Sequence, residues 1–433
     1  MTTRKTAVGT GTIWAKHALT STGWQSDVSV EIDSAGQISA VASGQAPLDE
    51  QYGVLLPAMP NLHSHAFQRA MAGMTETRGP GARSSETRKQ DQQDSFWSWR
   101  KLMYRFLDSL TPDDVEAIAA FGQMEMLESG YTSVGEFHYL HHQPDGRPYD
   151  NCAEMCERLV AAAQHSGIGL SLLPVLYEQG GCDGRVLSGG QKRFGNNIDE
   201  YSNLFAKADA TIASSSNCNI GIAPHSLRAV SKDSLIQAVS LLANRSFHIH
   251  VAEQQAEVDE LLSEYGARPV QWLLDNHDVD SSWCLIHATQ MVAGETTGLA
   301  KSGAVAGLCP ITESNLGDGI FDGKNYQTAN GAWGIGTDSN IRIALGEELR
   351  TLEYSQRLRD HARAVYATPQ QSTGRVLYES ALHGGAQALQ RNTGCIAVGT
   401  RLIYSRWTLT PLQWWQLKMT AGSMPGSLLM MIH

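Results

Sequence analysis

The chain opens with three stretches in which apolar and polar residues alternate, Thr12–Lys16, Asp27–Ile32 and Ile38–Ala42, separated by Gly and Asp turns. Alternation with period two predicts strands that bury one face. From Val54 the pattern changes to short apolar runs alternating with longer stretches of helical periodicity. The first run, Val54–Met59, leads into a pair of histidines, His63 and His65. Further runs follow at Thr132–Phe137, Gly169–Leu176, Asn219–Pro224, Phe247–Ala252, Trp283–Ile286, Ala304–Cys309 and Gly334–Thr337. Continuous apolar runs are buried on both faces, as parallel strands covered by helices are. Helical stretches such as 111–129, Lys232–Ala243 and Gly346–Leu358 lie between them. The first of these has Thr111 as N-cap, Pro112 at N1 and Gly130 beyond its end, which fixes both termini.

Eight runs alternating with helices predict an α/β fold, a (β/α)8 TIM-like barrel over residues 56–393. Residues 1–55 then begin a small β-module, and 394–433 form its C-terminal segment. Residues 75–94 are polar with Gly and Pro and predict a surface loop, either a solvated excursion or a functional one.

Composition narrows the function. A chain of 433 residues with 42% hydrophobic positions suits one large barrel plus a smaller module. The net charge of −11, with no long basic run, argues against nucleic acid as a partner. An acidic chain can still bind an anion where Arg or Lys is placed to receive it. The seven Cys are scattered, and Cys152 and Cys156, one helical turn apart, do not match a zinc knuckle. Reduced thiols of a cytoplasmic protein are expected. No apolar stretch suits a signal peptide or the ~20 residues of a membrane span, so no membrane association is expected.

Candidate chemistry gathers where the runs end. His63 and His65 face the same side of a strand and suit a borderline metal such as Zn²⁺; alone, such a pair is equally a chance or structural feature. His250 ends the fifth run. His248, with the same facing, is either a deeper support or a core histidine, and core is favoured. Asp338, after GIGT, is by itself a turn or cap residue. Together, His63, His65, His250 and Asp338 would converge at the C-terminal mouth of a barrel, where such folds place their sites. One divalent metal held there lowers the pKa of a bound water to ~7. Glu253, three residues past His250, is placed to carry a proton to a leaving nitrogen; the alternative is an acidic first turn of the next helix. His287 ends the sixth run and either polarises the reacting centre or is a buried structural histidine.

At these residues the chain resembles the amidohydrolase superfamily, in its mononuclear deaminase branch. No Lys ends the fourth run, where binuclear members carry a metal-bridging Lys; that run ends Ala-Pro-His225-Ser-Leu-Arg228. The segments MPNLHSHAFQRAMAG, SFWSWRKLMYRF, GEFHYLHH, HSLRAV, HIHVAEQ and TESNLGDGIF resemble, more narrowly, the formimidoylglutamate deiminase family, across roughly 12–401. The resemblance implies a barrel with a small β-sandwich module and one divalent metal, Zn²⁺ being preferred over iron or manganese. It also implies a homodimer and hydrolysis of N-formimidoyl-L-glutamate to N-formyl-L-glutamate and ammonia, with Glu253, His287 and Asp338 catalytic. Gln68, Arg100, Tyr139, His225 and Arg228 are implied to form the shell around this small dicarboxylate, and Arg is suited to carboxylates by its planar fork of donors. A surface salt bridge is the plain alternative for either Arg. Of Phe96, Trp97 and Trp99, at least two are expected to be packing residues. Two other functions remain open: a deaminase acting on a nucleobase or related heterocycle, and an inactive metal-binding barrel.

The end of the chain departs from the pattern. GCIAVGTR leads toward the superfamily's closing Ala-Asp-Leu-x-x-Leu-Asp, but the text continues Leu402-Ile403-Tyr404-Ser405-Arg406-Trp407-Thr408. Codons for these residues, read one base earlier, permit Ala-Asp-Leu-x-x-Leu-Asp, the last Asp being obligatory. A frameshift near Arg401 is therefore expected, the rival being a divergent amphipathic tail. All site residues precede it.

Overall fold

The computed structural model describes residues 11–49, 51–75, 96–213, 215–241, 243–401 and 404–407, with side chains except at 96–98, 101 and 404–407. The alternating N-terminal stretches form β1 (Gly11–Thr20), β2 (Gly23–Ile32) and β3 (Ile38–Ala42). With β4 (Gln51–Pro57) and a C-terminal strand they build a five-stranded sheet. Its buried face gathers Ile13, Ala15, Val28, Val30 and Leu55 with Ile396, the alternation read from the sequence.

The run Val54–Met59 divides. Residues to Pro57 pair in parallel with β1, and the first barrel strand is β5 (Met59–Ser64). An apolar run continuous in sequence thus serves two sheets, and the His pair ends the second strand rather than the run. The remaining barrel strands are β6 (Tyr131–His138), β7 (Gly169–Leu176), β8 (Cys218–Ile220), β9 (Ala223–Pro224), β10 (Phe247–Val251), β11 (Trp283–His287), β12 (Val305–Leu308) and β13 (Ala332–Ile335). The expected fourth strand is broken into β8 and β9 around Gly221, where a Cβ would clash with the Ser246 backbone carbonyl, 2.8 Å away, and its hydroxyl.

Strands β5 to β8 form one parallel group and β10 to β13 another. Bridges from Ile222 to Phe247, Ser226 to His250 and Ser64 to Asp338 join the two groups on both sides and close the barrel. Those last two bridges lie between site residues or their neighbours, so closure itself sets the spacing of the mouth.

Helices α1 (Phe96–Leu107), α2 (Pro112–Ser129), α3 (Glu154–Ser166), α4 (Ile198–Ile212), α5 (Lys232–Ser240) and α6 (Gln255–Tyr265) cover the first five strands. Then come α7 (Pro269–Asn276), α8 (Ala293–Ser302), α9 (Pro310–Leu316), α10 (Gly323–Thr328), α11 (Leu345–Asp360) and α12 (Thr373–Ala388). Helix α2 starts on a reciprocal Thr111–Asp114 capping box and stops at Gly130, φ +101°, as its sequence dictates.

The C-terminal strand β14 (Tyr404–Trp407) pairs antiparallel with β4. Residues 402, 403 and 408–433, where most of the expected frame change falls, and most of the polar 75–94 stretch lie outside the described residues. All seven Cys are unpaired, and no helix among the described residues is long and apolar enough to cross a membrane.

Candidate active site and metal centre

The barrel mouth brings three imidazoles and one carboxylate together. His63 Nε2 lies 3.3 Å from His65 Nε2 and 3.1 Å from His250 Nε2. Asp338 Oδ1 is 3.1 Å from His65 Nε2 and 3.5 Å from His63 Nε2, and the four ligand atoms all lie within 4.8 Å of one another. Two tautomers are fixed by the barrel: His65 Nδ1 donates to the Phe137 carbonyl at 2.8 Å and His250 Nδ1 to the His225 carbonyl at 3.2 Å. Their Nε2 atoms therefore carry lone pairs into the same small space. Burial pushes His63 down to about 3 and His250 well below the usual imidazole range, so both are neutral. Against burial, the neighbouring His63, His65 and His287 hold Asp338 well below the carboxylate range. Four lone-pair donors crowded this way repel one another unless a cation sits among them. The donor set thus fits a divalent metal, with backbone carbonyls as outer supports. A second grouping, His287, Cys309 and Asp338, shares Asp338, and burial pushes the Cys309 thiol well up, away from the thiolate a metal needs.

The backbone around this centre is bent into the left-handed region at residues that are not glycine: Ala252 (φ +49°), His287 (+70°), Ala288 (+52°), Asp338 (+45°) and Asn340 (+53°). Such conformations cost energy and persist only where surrounding contacts enforce them. At Ala252 the enforcing group is Glu257, on the first turn of α6. Its carboxylate accepts the Ala252 and Glu253 amides, both at 3.1 Å, and so aims Glu253 at the mouth. The acidic first turn that competed with Glu253 as an explanation is supplied by Glu257 instead.

His287 ends β11 among three carboxylates. Its Nε2 is 3.8 Å from Glu253 Oε1 and 3.9 Å from Asp338 Oδ2, and its Nδ1 is 3.3 Å from Glu313 Oε1. Burial lowers its pKa, but Glu253, the Glu313 hydrogen bond and Asp338 raise it to about 10. Burial raises the Glu253 carboxyl.

The centre opens into a cleft lined by Gln68, Arg100, Tyr139, His225 and Arg228, and by Glu253, His287 and Asp338. From the metal ligands outward, His225 stacks on His250 at 4.9 Å and Tyr177 meets His225 edge-on at 4.7 Å. Arg100 Nη2 then donates to Tyr177 Oη at 3.0 Å. Gln68 Nε2 donates to Tyr139 Oη at 2.7 Å, while Gln68 Oε1 is buried without a partner. Burial, Arg228 and the neighbouring histidines keep His225 neutral. Trp99 lines the cleft; the side chains of Phe96 and Trp97 lie outside the described residues. His248 sits apart from the mouth, bonded to the Ala388 carbonyl of α12 at 2.8 Å and pushed by burial to about 4, a core histidine. Sequence reasoning missed Glu257, Glu313 and Tyr177. Only Glu257 carried a local signal, as an acid in the first turn of a helix that follows a site residue.

The chain is similar to known proteins over most of its length. The family model described as "Amidohydrolase family" matches residues 54–401, and "Formimidoylglutamate deiminase HutF, N-terminal domain" matches 10–51. The formimidoylglutamate deiminase of Pseudomonas aeruginosa is 46% identical over 398 residues, covering 90% of this chain and 84% of that one. The crystal structure of an amidohydrolase from Brucella melitensis superposes with a TM-score of 0.85 at 46% identity, covering 91% of this chain and 86% of that one. An adenosine deaminase from Xanthomonas campestris with bound zinc, 19% identical, shares the fold with a TM-score of 0.77 over 97% of this chain and 88% of its own. By its match to the family model and to a relative nearly half identical over nine-tenths of its length, the chain belongs to the amidohydrolase family, on the branch of the formimidoylglutamate deiminases.

Proposed function

We propose that the chain hydrolyses N-formimidoyl-L-glutamate to N-formyl-L-glutamate and ammonia, the deimination step of histidine degradation, at a single divalent metal. The observation that carries this reading is the two-ended cleft. One end holds four converging metal-ligand atoms; beyond it the cleft presents Arg228 and then Arg100 with tyrosines. A heterocycle offers no pair of carboxylates for two arginines; formimidoylglutamate offers both.

His63, His65, His250 and Asp338 would hold the metal, and three neutral imidazoles with one carboxylate favour Zn²⁺. Bound there, the ion acts as a Lewis acid and makes water a nucleophile near neutral pH. Glu253 Oε1 carries both protons of the attacking water in turn to the terminal amidine nitrogen, the first on attack and the second as the C–N bond breaks, so the nitrogen leaves as ammonia and the water oxygen becomes the formyl oxygen. A carboxyl raised by burial is matched to that exchange. His287, cationic between its carboxylates, donates from Nε2 to the oxygen that becomes the formyl oxygen. Gln68 Oε1, buried and unpartnered, accepts an N–H of the amidine. Arg228, 9% exposed and electrostatically coupled to Glu253 and Glu257, lies toward the reacting end and takes the α-carboxylate. Arg100 takes the side-chain carboxylate.

Ammonia release from N-formimidoyl-L-glutamate, measured beside guanine, cytosine and adenosine with metal analysis of the same sample, tests the reading. Turnover of the amidine with one bound metal per chain is expected. Preference for a nucleobase, or bound metal without turnover of any of the four, would overturn it.

A further inference from the structure

We infer that Tyr177 is a specificity-determining residue whose hydroxyl donates a hydrogen bond to the side-chain carboxylate of the substrate. The inference rests on the substrate reading above and extends it to a residue outside the five implied by resemblance.

The argument is one of hydrogen-bond capacity. A phenol oxygen has two lone pairs and one proton. Tyr177 Oη accepts from Arg100 Nη2 at 3.0 Å and from Gln191 Nε2 at 3.2 Å. Both lone pairs are thereby used, and the proton must be given to an acceptor elsewhere. Among the described residues no protein atom accepts it, and Tyr177 lines the cleft. The side chain cannot turn away: the residue is 2% exposed, and its ring is wedged edge-on between Phe194 at 5.6 Å and His225 at 4.7 Å. The proton is therefore aimed at whatever occupies the cleft.

The surroundings select the acceptor. Next to Tyr177, Arg100 lies over the ring of Tyr104 at 5.4 Å, and both line the cleft. The acidic side chains that line the cleft, Glu253 and Asp338, sit at the metal end. The remote end is thus a surface of donors facing inward, complementary to a carboxylate, which only accepts. It is hostile to a carboxamide, whose NH₂ would meet further donors. With the amidine carbon at the metal end, the α-carboxylate stays near it, and the side-chain carboxylate reaches the Tyr177 end two methylenes farther on.

The test compares N-formimidoyl-L-glutamate with N-formimidoyl-L-glutamine in the wild type, Tyr177→Phe, Arg100→Met and the double variant, by steady-state ammonia release. Tyr177→Phe is expected to lower kcat/KM for the glutamate derivative by about 10- to 100-fold, mainly through KM, and to leave the glutamine derivative within about threefold. In the Arg100→Met background the Phe substitution should still lower kcat/KM for the glutamate derivative, because the hydroxyl contacts substrate itself. Equal losses for both substrates, or no further loss once Arg100 is gone, would reduce Tyr177 to a support for Arg100 and overturn the inference. Thermal unfolding of each variant keeps folding defects apart. Should Tyr177→Phe not fold, inhibition of the wild type by glutarate against glutaramate reads the same preference, and equal affinities overturn it. A wild type inactive on formimidoylglutamate would instead sink the substrate reading, an outcome the variants cannot imitate.

Discussion

Glu313 accepts a hydrogen bond from His287 Nδ1 at 3.3 Å and, with the same oxygen, the backbone amide of Cys309 at 2.8 Å. The amide pins the carboxylate, and the carboxylate pins the imidazole, so β12 and α9 decide how the last residue of β11 faces the reaction. Carboxylate partners on the far nitrogen of a working histidine commonly tune affinity or activity by 10- to 100-fold.

Glu313→Gln should therefore lower kcat by about 10-fold with KM little changed. It should also move the alkaline limb of the kcat profile to lower pH. The sign follows from the causes: His287 stands at about 10 because carboxylates oppose burial, and removing one of them lets burial pull it down, so the imidazolium is lost earlier as pH rises. A pH–rate profile of the variant checks this. An unmoved limb would leave Glu313 a purely structural support.

Glu253 lies outside the four-residue ligand cluster, its Oε1 3.8 Å from His287 Nε2. Glu253→Gln keeps its size and removes its capacity to carry a proton. Turnover should fall about 10²-fold or more, while metal content, measured by elemental analysis, stays that of the wild type. Near-normal turnover would take Glu253 out of the mechanism.

Arg228 is buried at the cleft wall and its fork suits paired bonds to a carboxylate. Arg228→Ala should raise KM for formimidoylglutamate by about 10- to 100-fold, the worth of a charge-assisted hydrogen bond, in the same ammonia-release assay. An unchanged KM would place the α-carboxylate elsewhere.

What could be read in the sequence was whatever repeats locally. Period-two alternation marked the N-terminal strands, and strand-end histidines marked the cluster that the mouth brings together, because a strand's geometry alone turns His63 and His65 the same way. Contacts across long separations were not legible. Tyr177 meets Arg100 from 77 residues away, and Glu313 meets His287 from another strand and helix. The division of Val54–Met59 between two sheets was hidden for a related reason. Hydrophobicity reports burial, and both sheets bury that run equally. Nor could the sequence mark the left-handed residues at the mouth, since none is a glycine and the strain is enforced by partners such as Glu257 and not by the residue itself.

The end of the chain yields a prediction of another kind. Pairing of Tyr404–Trp407 with Val54–Pro57 is made by backbone groups, which are the same in any reading frame. We propose a one-base shift near codon 401, in the gene or in its sequencing, because the preceding frame restores Ala-Asp-Leu-x-x-Leu-Asp. Sequencing both DNA strands across that codon should find the preceding frame open and acidic downstream, and a clean read whose preceding frame holds a stop codon or lacks the motif would refute it. Where the restored frame is expressed, a higher thermal midpoint is expected, as the small sheet's edge regains its fitted partner.

The last prediction concerns pH and Glu257, which is fully enclosed. Burial raises its carboxyl from 4.5 to about 7, against the opposing pull of Arg228 and of the two backbone amides it accepts. A carboxyl whose pKa is higher folded than unfolded holds its proton more tightly in the folded state. Its stabilising contribution is complete below the unfolded value and is lost as pH rises through the folded one. Between pH ~4.5 and ~7, then, the wild type should lose stability relative to Glu257→Gln, which cannot titrate. The glutamine can accept only one of the two amides, so the variant is less stable in absolute terms at every pH. The informative quantity is the difference in thermal midpoint between the two proteins. That difference should shrink from pH 5 to pH ~7 and level off above it, and a constant gap would mean that Glu257 is ionised throughout the range.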